Sequence, residues 1–305
     1  MRENEMLPVQ LKMRGNMRTA IITDTNSGIT VEEGRELGIH VMQMPVIING
    51  EIYYEGVNLT QEDFYRRLEG GDDVSTSQPS PGDVMGLWDE VLAEGYDGIV
   101  YIPMSSGLSN SCHSAIGLAE EYGGRVQVAD NHRISVTLRQ AVLDANYLAS
   151  QGLSAAEVRE QLEKDGLDAS IYIAVNTLEF LKKGGRVTPA GAAIGSILNI
   201  KPILTIQGEK LDAFAKVRGM KKCWERILQA VKTDREERFG AVPDEELRIG
   251  ATGTFRQKED ADRWYELVKE NFPSIEIFYD PLSFSIGCHV GPDATGIGIC
   301  PKHRA

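Results

Sequence analysis

The chain has 305 residues, of which 42% are hydrophobic and 25% charged, so it can bury two cores of ordinary domain size. Its 45 acidic and 32 basic residues give a formal net charge of −13, which repels the phosphates of nucleic acids, so nucleic acid is not an expected partner. One basic cluster on a predicted amphipathic helix is interpreted as a solvated face, with docking of an acidic partner as the alternative. That cluster comprises Arg218, Lys221, Lys222 and Arg226.

The first half of the chain predicts a parallel α/β domain. Residues 1–17 are polar and without periodicity and are predicted to be a disordered leader, and the first strand follows in residues 18–24. Short β-rich runs at 98–103, 125–129 and 170–175 then alternate with segments whose apolar residues recur at helical spacing. This alternation is typical of βαβ units and a parallel sheet. We place the first domain at residues 18–166.

The second half changes character. Two apolar runs, residues 201–206 and 211–217, flank a short polar turn and predict a β-hairpin. Helical, strand, helical and strand patterns then follow at residues 219–239, 246–251, 256–271 and 274–279. Residues 167–305 are therefore predicted to form an α+β domain with an antiparallel or mixed sheet.

Cysteine spacing and hydropathy indicate the compartment. The four cysteines lie far apart without a Cys-x-x-Cys pair, and no secretory apolar segment opens the chain. No apolar run reaches the roughly 18 residues of a membrane span, since the most apolar stretch, residues 190–206, is interrupted by polar residues. A cytoplasmic protein that does not span a membrane is expected.

A serine-rich turn is the strongest local signal for ligand binding. Ser105, Ser106 and Gly107 stand where a predicted strand gives way to a predicted helix. Amide groups at a helix start, with the positive end of the helix dipole, bind carboxylate or phosphate, and serine hydroxyls add donors. The turn is thus a candidate anion site, and a plain helix cap followed by a flexible glycine is the alternative.

Three further segments offer donors for an anion. Thr76 and Ser77 lie on a hydroxyl-rich loop just before a helix, and Arg186 follows a helix that ends at a glycine pair. Arginine presents a planar, permanently charged fork that suits a carboxylate. His289 stands among glycines, so that its ring and backbone could approach a ligand closely.

The C-terminal part of the sequence contains cysteine and histidine residues that could suggest a zinc site. The nearby Cys288, His289, Cys300 and His303 are ligand types that zinc prefers. However, the paired short spacings of zinc sites are absent, and Cys288 and His289 would point to opposite sides of a strand. No metal and no cofactor is expected.

Taken together, these segments resemble the DegV family of fatty-acid-binding proteins, in register from about Thr19 to near the C-terminus. The matching stretches are residues 22–25 (ITDT), 75–80 (STSQPS), 105–109 (SSGLS), 178–186 (LEFLKKGGR), 199–203 (NIKPI), 216–219 (KVRG) and 289–292 (HVGP). Several motifs in register are far more specific than any one of them.

The resemblance implies two α/β domains with a long-chain fatty acid between them, its tail in an apolar tunnel and its carboxylate at the domain interface. It also implies a carrier rather than an enzyme, which presents the carboxylate to a separate ATP-using kinase for acyl-phosphate formation. A monomer is expected. The implied carboxylate-binding residues are Thr76, Ser77, Ser105, Ser106, Gly107, Arg186 and a protonated His289. The tunnel lining is expected to include Ala192, Ile194, Ile197 and Leu198.

Two rival functions stay open. The first is a serine hydrolase or phosphotransferase that uses Ser105 or Ser106 with His289, although no Gly-x-Ser-x-Gly elbow occurs and no carboxylate partner for the histidine is identifiable. The second is a regulatory protein in which the lipid is a structural filler. A nucleotide-binding Rossmann protein is disfavoured, since neither G-x-G-x-x-G nor a P-loop lysine motif is present.

Overall fold

The computed structural model describes residues 17–193, 200–208 and 210–303, so residues 1–16 of the predicted leader lie outside the described residues. The first half of the chain alternates strands with helices. Its elements are β1 (Thr19–Asp24), α1 (Val31–Leu37), β2 (Ile39–Met42), β3 (Val46–Ile48), β4 (Glu51–Tyr53), α2 (Gln61–Gly70), β5 (Val74–Thr76), α3 (Pro81–Ala93), β6 (Gly98–Ile102), α4 (Ser111–Ala119), β7 (Val126–Val128), α5 (Ser135–Ser150) and α6 (Ala155–Lys164).

Strands β1, β2, β6 and β7 form a parallel sheet in the order β2-β1-β6-β7. Strand β6 is buried throughout and β1 is buried from Ala20 onward, as in strands covered on both faces. Thr23 of β1 pairs with Ile102 of β6, so the two strands end at the same edge of the sheet. The predicted parallel α/β architecture is confirmed, and the loops that follow β1 and β6 lie side by side.

Strands β3, β4 and β5 form a small antiparallel sheet, in the order β4-β3-β5, that the sequence analysis does not predict. Its apolar face packs on α2 and on a helix from the far end of the chain. The Phe64 ring of α2 stacks on the Phe284 ring of that distant helix, with centroids 4.7 Å apart. This packing places the end of β5 beside the C-terminal part of the sequence.

The second half supplies a larger, mixed sheet. Its elements are β8 (Ser170–Ala174), α7 (Glu179–Gly184), α8 (Pro189–Ala192), β9 (Ile200–Ile206), β10 (Asp212–Arg218), α9 (Met220–Glu237), β11 (Leu247–Gly253), α10 (Lys258–Asn271), β12 (Glu276–Pro281), α11 (Phe284–Val290) and β13 (Thr295–Pro301). Short 3-10 turns occupy Thr25–Ser27, Glu120–Tyr122 and Asp244–Glu246.

The six strands of this second sheet run in the order β10-β9-β8-β13-β11-β12. Strands β9 and β10 form the predicted antiparallel hairpin, and only the β11–β12 pair is parallel. Helices α9 and α10 cover one face, where the buried Trp264 donates from Nε1 to the Gly296 carbonyl at 2.9 Å. The predicted α+β architecture with a mixed sheet is confirmed.

Helix α5 lies between the two large sheets and contacts β1, β11 and β13. Its Val136 packs onto the second sheet at two glycines, because a Cβ on Gly250 would lie 2.3 Å from the Val136 Cβ, and one on Gly298 would lie 2.8 Å from its Cγ2. Only glycine permits so close an approach. The predicted domain boundary at residue 166 falls between α6 and β8 and stays a prediction, since α5 belongs to both cores.

Within the three described ranges, no helix combines the length and apolar character needed to cross a bilayer. All four cysteines are buried with free thiols. The described part of the chain contains no group of three or more His, Cys, Asp or Glu side chains that could hold a metal ion. Cys288 and His289 are neighbours on helix α11, so the prediction of a strand there is wrong.

Candidate functional site

A cavity lies where the two halves of the chain meet, at the carboxyl ends of β1 and β6. The space between its walls, including the part open to solvent, is about 980 Å³. Its walls are mostly aliphatic and sulfur side chains from both halves. They include Met44, Met104, Ile171, Ile173, Leu181 and Val290.

One end of the cavity is polar, and two of its groups come from elements far apart in the sequence. Thr76 ends strand β5, and His289 lies in the last turn of α11, which packs on β5. The Thr76 Oγ1 and the His289 Nε2 are 3.0 Å apart and share a hydrogen bond. The small sheet therefore brings the predicted threonine and histidine together.

Arg186 reaches the same end from the loop after α7. The helix closes at Gly185, whose φ of +69° requires the left-handed conformation that glycine adopts readily. The Arg186 Nε donates to the Leu108 carbonyl at 3.1 Å, and its Nη1 donates to the Gly184 carbonyl. Among the described residues that line the cavity, Arg186 alone carries a permanent charge.

His289 is neutral in the ligand-free protein. Burial lowers the pKa of His289 to about 4, and the positive charge of Arg186 acts in the same direction. A protonated His289 was expected beside a bound carboxylate, and that stays a prediction; in the ligand-free protein, burial and the neighbouring Arg186 lower the pKa of the ring, which the sequence does not show. The ring is held closely, since a Cβ on Gly184 would lie 2.2 Å from its Nδ1.

This buried histidine predicts a pH-dependent stability. The unfolded state takes up a proton near pH 6.5 and the native state only near pH 4, so native stability falls as the pH drops through that window. In His289→Gln this loss should be absent. The difference in unfolding free energy between the wild-type protein and His289→Gln should therefore change by up to about 3 kcal/mol between pH 6.5 and pH 4. Urea unfolding at a series of pH values measures it.

The comparison isolates His289 from groups that titrate in the opposite sense. Burial raises the pKa of Asp24 to about 6 and that of Glu55 to about 7, so these carboxyls contribute stability that is lost as the pH rises. They are common to both proteins and cancel in the difference. A difference in unfolding free energy that does not vary between pH 4 and 6.5 would contradict the assignment.

The hydrolase alternative finds no support in this geometry. The Nδ1 of His289 has no hydrogen-bond partner among the described residues, so no carboxylate orients the ring. The Ser105 hydroxyl donates to the carbonyl of Gly208, and within the described part of the chain no hydrogen bond joins Ser106 to His289. A serine nucleophile paired with a base is not assembled in this state.

The serine turn that was predicted as an anion site lies outside the cavity lining. The helix after β6 begins at Ser111, later than predicted, because residues 105–108 form a hydrogen-bonded turn of their own. The amide of Ser106 donates to the Asp130 carboxylate at 3.2 Å and that of Gly107 to the Ser105 hydroxyl at 3.2 Å. These amides already have partners within the protein.

Thr76, Ser77, Arg186 and His289 do line the cavity, and the structure adds polar neighbours that the sequence analysis did not single out. Gln78 accepts a hydrogen bond from Ser114 Oγ at 3.2 Å and lies beside Ser109 and Asn110 in the lining. Gln78 and Ser109 belong to the hydroxyl-rich stretches 75–80 and 105–109. Membership of those stretches was the sequence signal that could have indicated them as site residues. Ser77 and Asn110 are exposed, so this polar end is the mouth of the cavity.

The predicted tail-lining residues are placed only in part. Ala192 packs at the edge of the apolar cluster that surrounds the cavity but is not in its lining, and Ile194, Ile197 and Leu198 lie outside the described residues. The described walls come from other segments.

Strand β8 supplies the wall residues Ile171 and Ile173, whose alternation with Tyr172 points them away from the α9 side of the sheet. Helix α7 adds Leu181 and helix α11 adds Val290. The β-rich run of β8 was visible in the sequence, but which of its faces would meet the cavity was not.

Comparison with known protein families matches residues 18–302 to the DegV family, described as "Uncharacterised protein, DegV family". A DegV domain-containing protein of Deinococcus radiodurans is 32% identical over 290 residues, covering 93% of this chain and 99% of that protein. The fold is a mixed α/β architecture with an internal cavity where its two halves meet. The chain belongs to the DegV family, as its motifs indicated.

Two solved structures share the fold over nearly the whole chain. A DegV family protein of Thermus thermophilus, described for its fatty acid binding, superposes with a TM-score of 0.83 at 30% identity and covers 93% of this chain and 100% of its own. DegV of Bacillus subtilis, described as a fatty acid binding protein, gives 0.81 at 28% identity with coverages of 94% and 100%.

Proposed function

We propose that this chain binds one long-chain fatty acid in the cavity, with its carboxylate at the polar mouth formed by Thr76, Ser77, Arg186 and His289. The observation that carries this proposal is the charge of the lining. Apolar walls lead to a mouth with one permanent cation and no acidic side chain among the described lining residues. Such a cavity complements an amphiphile with a single negative charge, and fatty acid binding by the T. thermophilus and B. subtilis relatives supports it.

The expected energetics are sufficient for tight binding. Burying a methylene contributes about 0.8 kcal/mol, so ten methylenes contribute about 8 kcal/mol before the cost of ordering the chain is subtracted. The carboxylate loses water at the mouth, and the Arg186 guanidinium with the Thr76 hydroxyl would replace those hydrogen bonds. Burial of the tail would supply most of the binding free energy, and the polar mouth would fix the orientation of the ligand.

The same orientation supports a role as a carrier. Because Ser77 and Asn110 at the polar end are exposed, a bound carboxylate would lie close to the surface while the tail stays inside. We propose that the chain presents this carboxylate to a separate ATP-using fatty-acid kinase, which forms the acyl phosphate. The chain itself would then act as a binding subunit and not as an enzyme.

Mass spectrometry of the purified protein tests the proposal directly. We expect native spectra to show one fatty acid per chain, released on denaturation and recovered by extraction. A carrier should then exchange its ligand with added isotope-labelled palmitate, whereas a structural filler would stay bound until unfolding. A protein that is empty and also refuses added palmitate would refute fatty acid binding.

A further inference from the structure

The apolar walls of the cavity contain a second polar patch, separate from the mouth. Four polar side chains form it, and all are largely shielded from solvent, with exposures of 8% or less. They are Asn26, Ser135, Thr252 and Ser285. The hydroxyls of Thr252 and Ser285 have partners within the protein, whereas a saturated hydrocarbon tail would offer no hydrogen bond to Asn26 or Ser135.

Ser135 is the first residue of helix α5, and the helix N-terminus opens on the cavity. The residue is 8% exposed and lines the cavity, and its hydroxyl has no hydrogen-bond partner among the described residues. The preceding Ile134 makes no side-chain cap, so the first amides of this 16-residue helix are not satisfied by a side chain. The Ser135 residue and the positive end of the helix dipole therefore lie at the same wall of the cavity.

Asn26 provides the second unused donor. It is 1% exposed, and its Oδ1 accepts hydrogen bonds from the hydroxyls of Ser283, at 2.9 Å, and Ser285. Its Nδ2 has no partner in hydrogen-bonding geometry among the described residues, although the side chain lies near enough to Asp24 to help lower the pKa of that carboxyl. An amide donor without a partner in an apolar wall is costly, which favours an oxygen acceptor in the cavity.

Asp280 contacts residues of the different elements that form this patch. Arg139, one turn after Ser135 on α5, lies 3.4 Å from the Asp280 carboxylate. The Thr252 hydroxyl donates to the Asp280 carbonyl at 2.6 Å. The Asp280 carboxylate also lies against Gly28, which follows Asn26 by two residues. The unused donors of α5 and of the loop after β1 thus belong to the same region of the wall.

The local charge decides between a neutral and an ionised acceptor. Three largely buried carboxyls adjoin the patch: Asp24 beside Asn26, Glu55 at the Phe284 amide, and Asp280. Burial raises the pKa of these carboxyls, to about 6 for Asp24, about 7 for Glu55 and about 8 for Asp280, so this region disfavours negative charge and a dicarboxylic acid is disfavoured with it. A hydroxyl or oxo oxygen accepts a hydrogen bond without adding charge, and a hydroxyl can also donate if the Asn26 amide is rotated.

We propose that the cavity prefers fatty acids whose chain carries a hydroxyl or oxo oxygen at this patch. The proposal rests on the proposed fatty acid binding and specifies its substrate class. Ser285 precedes His289 by one turn of α11, about 6 Å along the helix axis. The oxygen should therefore sit on the half of the chain nearer the carboxylate.

Competition binding with a positional series of monohydroxylated stearic acids tests this preference against stearic acid. The wild-type protein should bind one isomer, or two adjacent ones, at least about tenfold more tightly than stearic acid. In Ser135→Ala and Asn26→Leu the ratio of the two affinities should fall to about one. Ser150→Ala, an exposed serine at the opposite end of α5, should keep the wild-type ratio. Thermal unfolding confirms that each variant folds.

The outcomes separate this inference from the proposed function. If stearic acid binds but every hydroxylated isomer binds more weakly, the patch holds only structural water and the preference is refuted, while fatty acid binding stands. A preference that survives both Ser135→Ala and Asn26→Leu would likewise refute the assigned patch. If neither stearic acid nor any isomer binds, the proposed function itself fails and the inference fails with it.

Discussion

Replacing Arg186 by glutamine is expected to weaken palmitate binding by about 100-fold. Arg186 alone among the described lining residues carries a permanent charge, and its guanidinium is anchored by the Leu108 and Gly184 carbonyls at the mouth. Without it, the carboxylate loses a charge-assisted hydrogen bond and is left partly desolvated and uncompensated, which costs about 3 kcal/mol. Isothermal titration with palmitate measures the change.

A neutral ligand distinguishes the charge of Arg186 from its packing. Wild-type protein should prefer palmitate to hexadecanol, and Arg186→Gln should lose that preference, whereas a merely structural defect would weaken both ligands equally. Arg186→Lys keeps the charge but not the planar fork, so its affinity for palmitate should lie between those of the wild-type protein and Arg186→Gln. Arg35→Gln, at an exposed arginine on α1, is the matched control. Full palmitate affinity in Arg186→Gln would rule out the proposed carboxylate position.

Replacing Gly184 by alanine is expected to damage both the site and the fold. The added methyl group would lie 2.2 Å from the His289 Nδ1 and 2.8 Å from its Cε1, so the ring must leave Thr76. Overpacking of this kind typically costs about 1–3 kcal/mol of unfolding free energy. We expect that loss in urea unfolding, together with at least a tenfold weaker affinity for palmitate.

The histidine itself is the control for this prediction. In a His289→Ala background the methyl group of Gly184→Ala has room, so the unfolding penalty should largely disappear and the two substitutions should be strongly non-additive. Gly117→Ala, in the middle of α4 with no atom near the added Cβ, should not destabilise the protein. An equal penalty for Gly184→Ala with and without the histidine ring would show that the clash is not its cause.

The fold was predictable where elements are long or their pattern is regular. The buried run of β6, the alternation of strands with helices, and the β9–β10 hairpin all follow from apolar periodicity. Strands β3, β4 and β5 have three residues each, too few to show a period, so the small sheet was missed. That sheet is nevertheless what brings Thr76 to His289.

The site was predictable as a set of residue types and only partly as a geometry. Motif order placed Thr76, Ser77, Arg186 and His289 together, and all four line the cavity. The protonation state of His289 could not be predicted, since its pKa depends on burial and on Arg186, which lies about a hundred residues earlier in the chain.

For the serine turn, the residue types were predictable but the hydrogen-bond partners of its amides were not. Ser105, Ser106 and Gly107 have the right residue types for an anion site, yet their amides are already used within the protein, by the Arg133 carbonyl, the Asp130 carboxylate and the Ser105 hydroxyl. Whether an amide is free depends on contacts between distant segments. A local motif carries no information about those contacts.

Helix α11 completes the polar mouth of the cavity with a residue from near the C-terminus. Thr76 belongs to the early part of the sequence, while its partner His289 lies 213 residues later, on a helix that packs against α2 and β5. A chain emerging from the ribosome folds its N-terminal part first. The mouth is therefore completed only when synthesis is nearly finished, so a fatty acid bound there, as we propose, would be taken up by the finished chain.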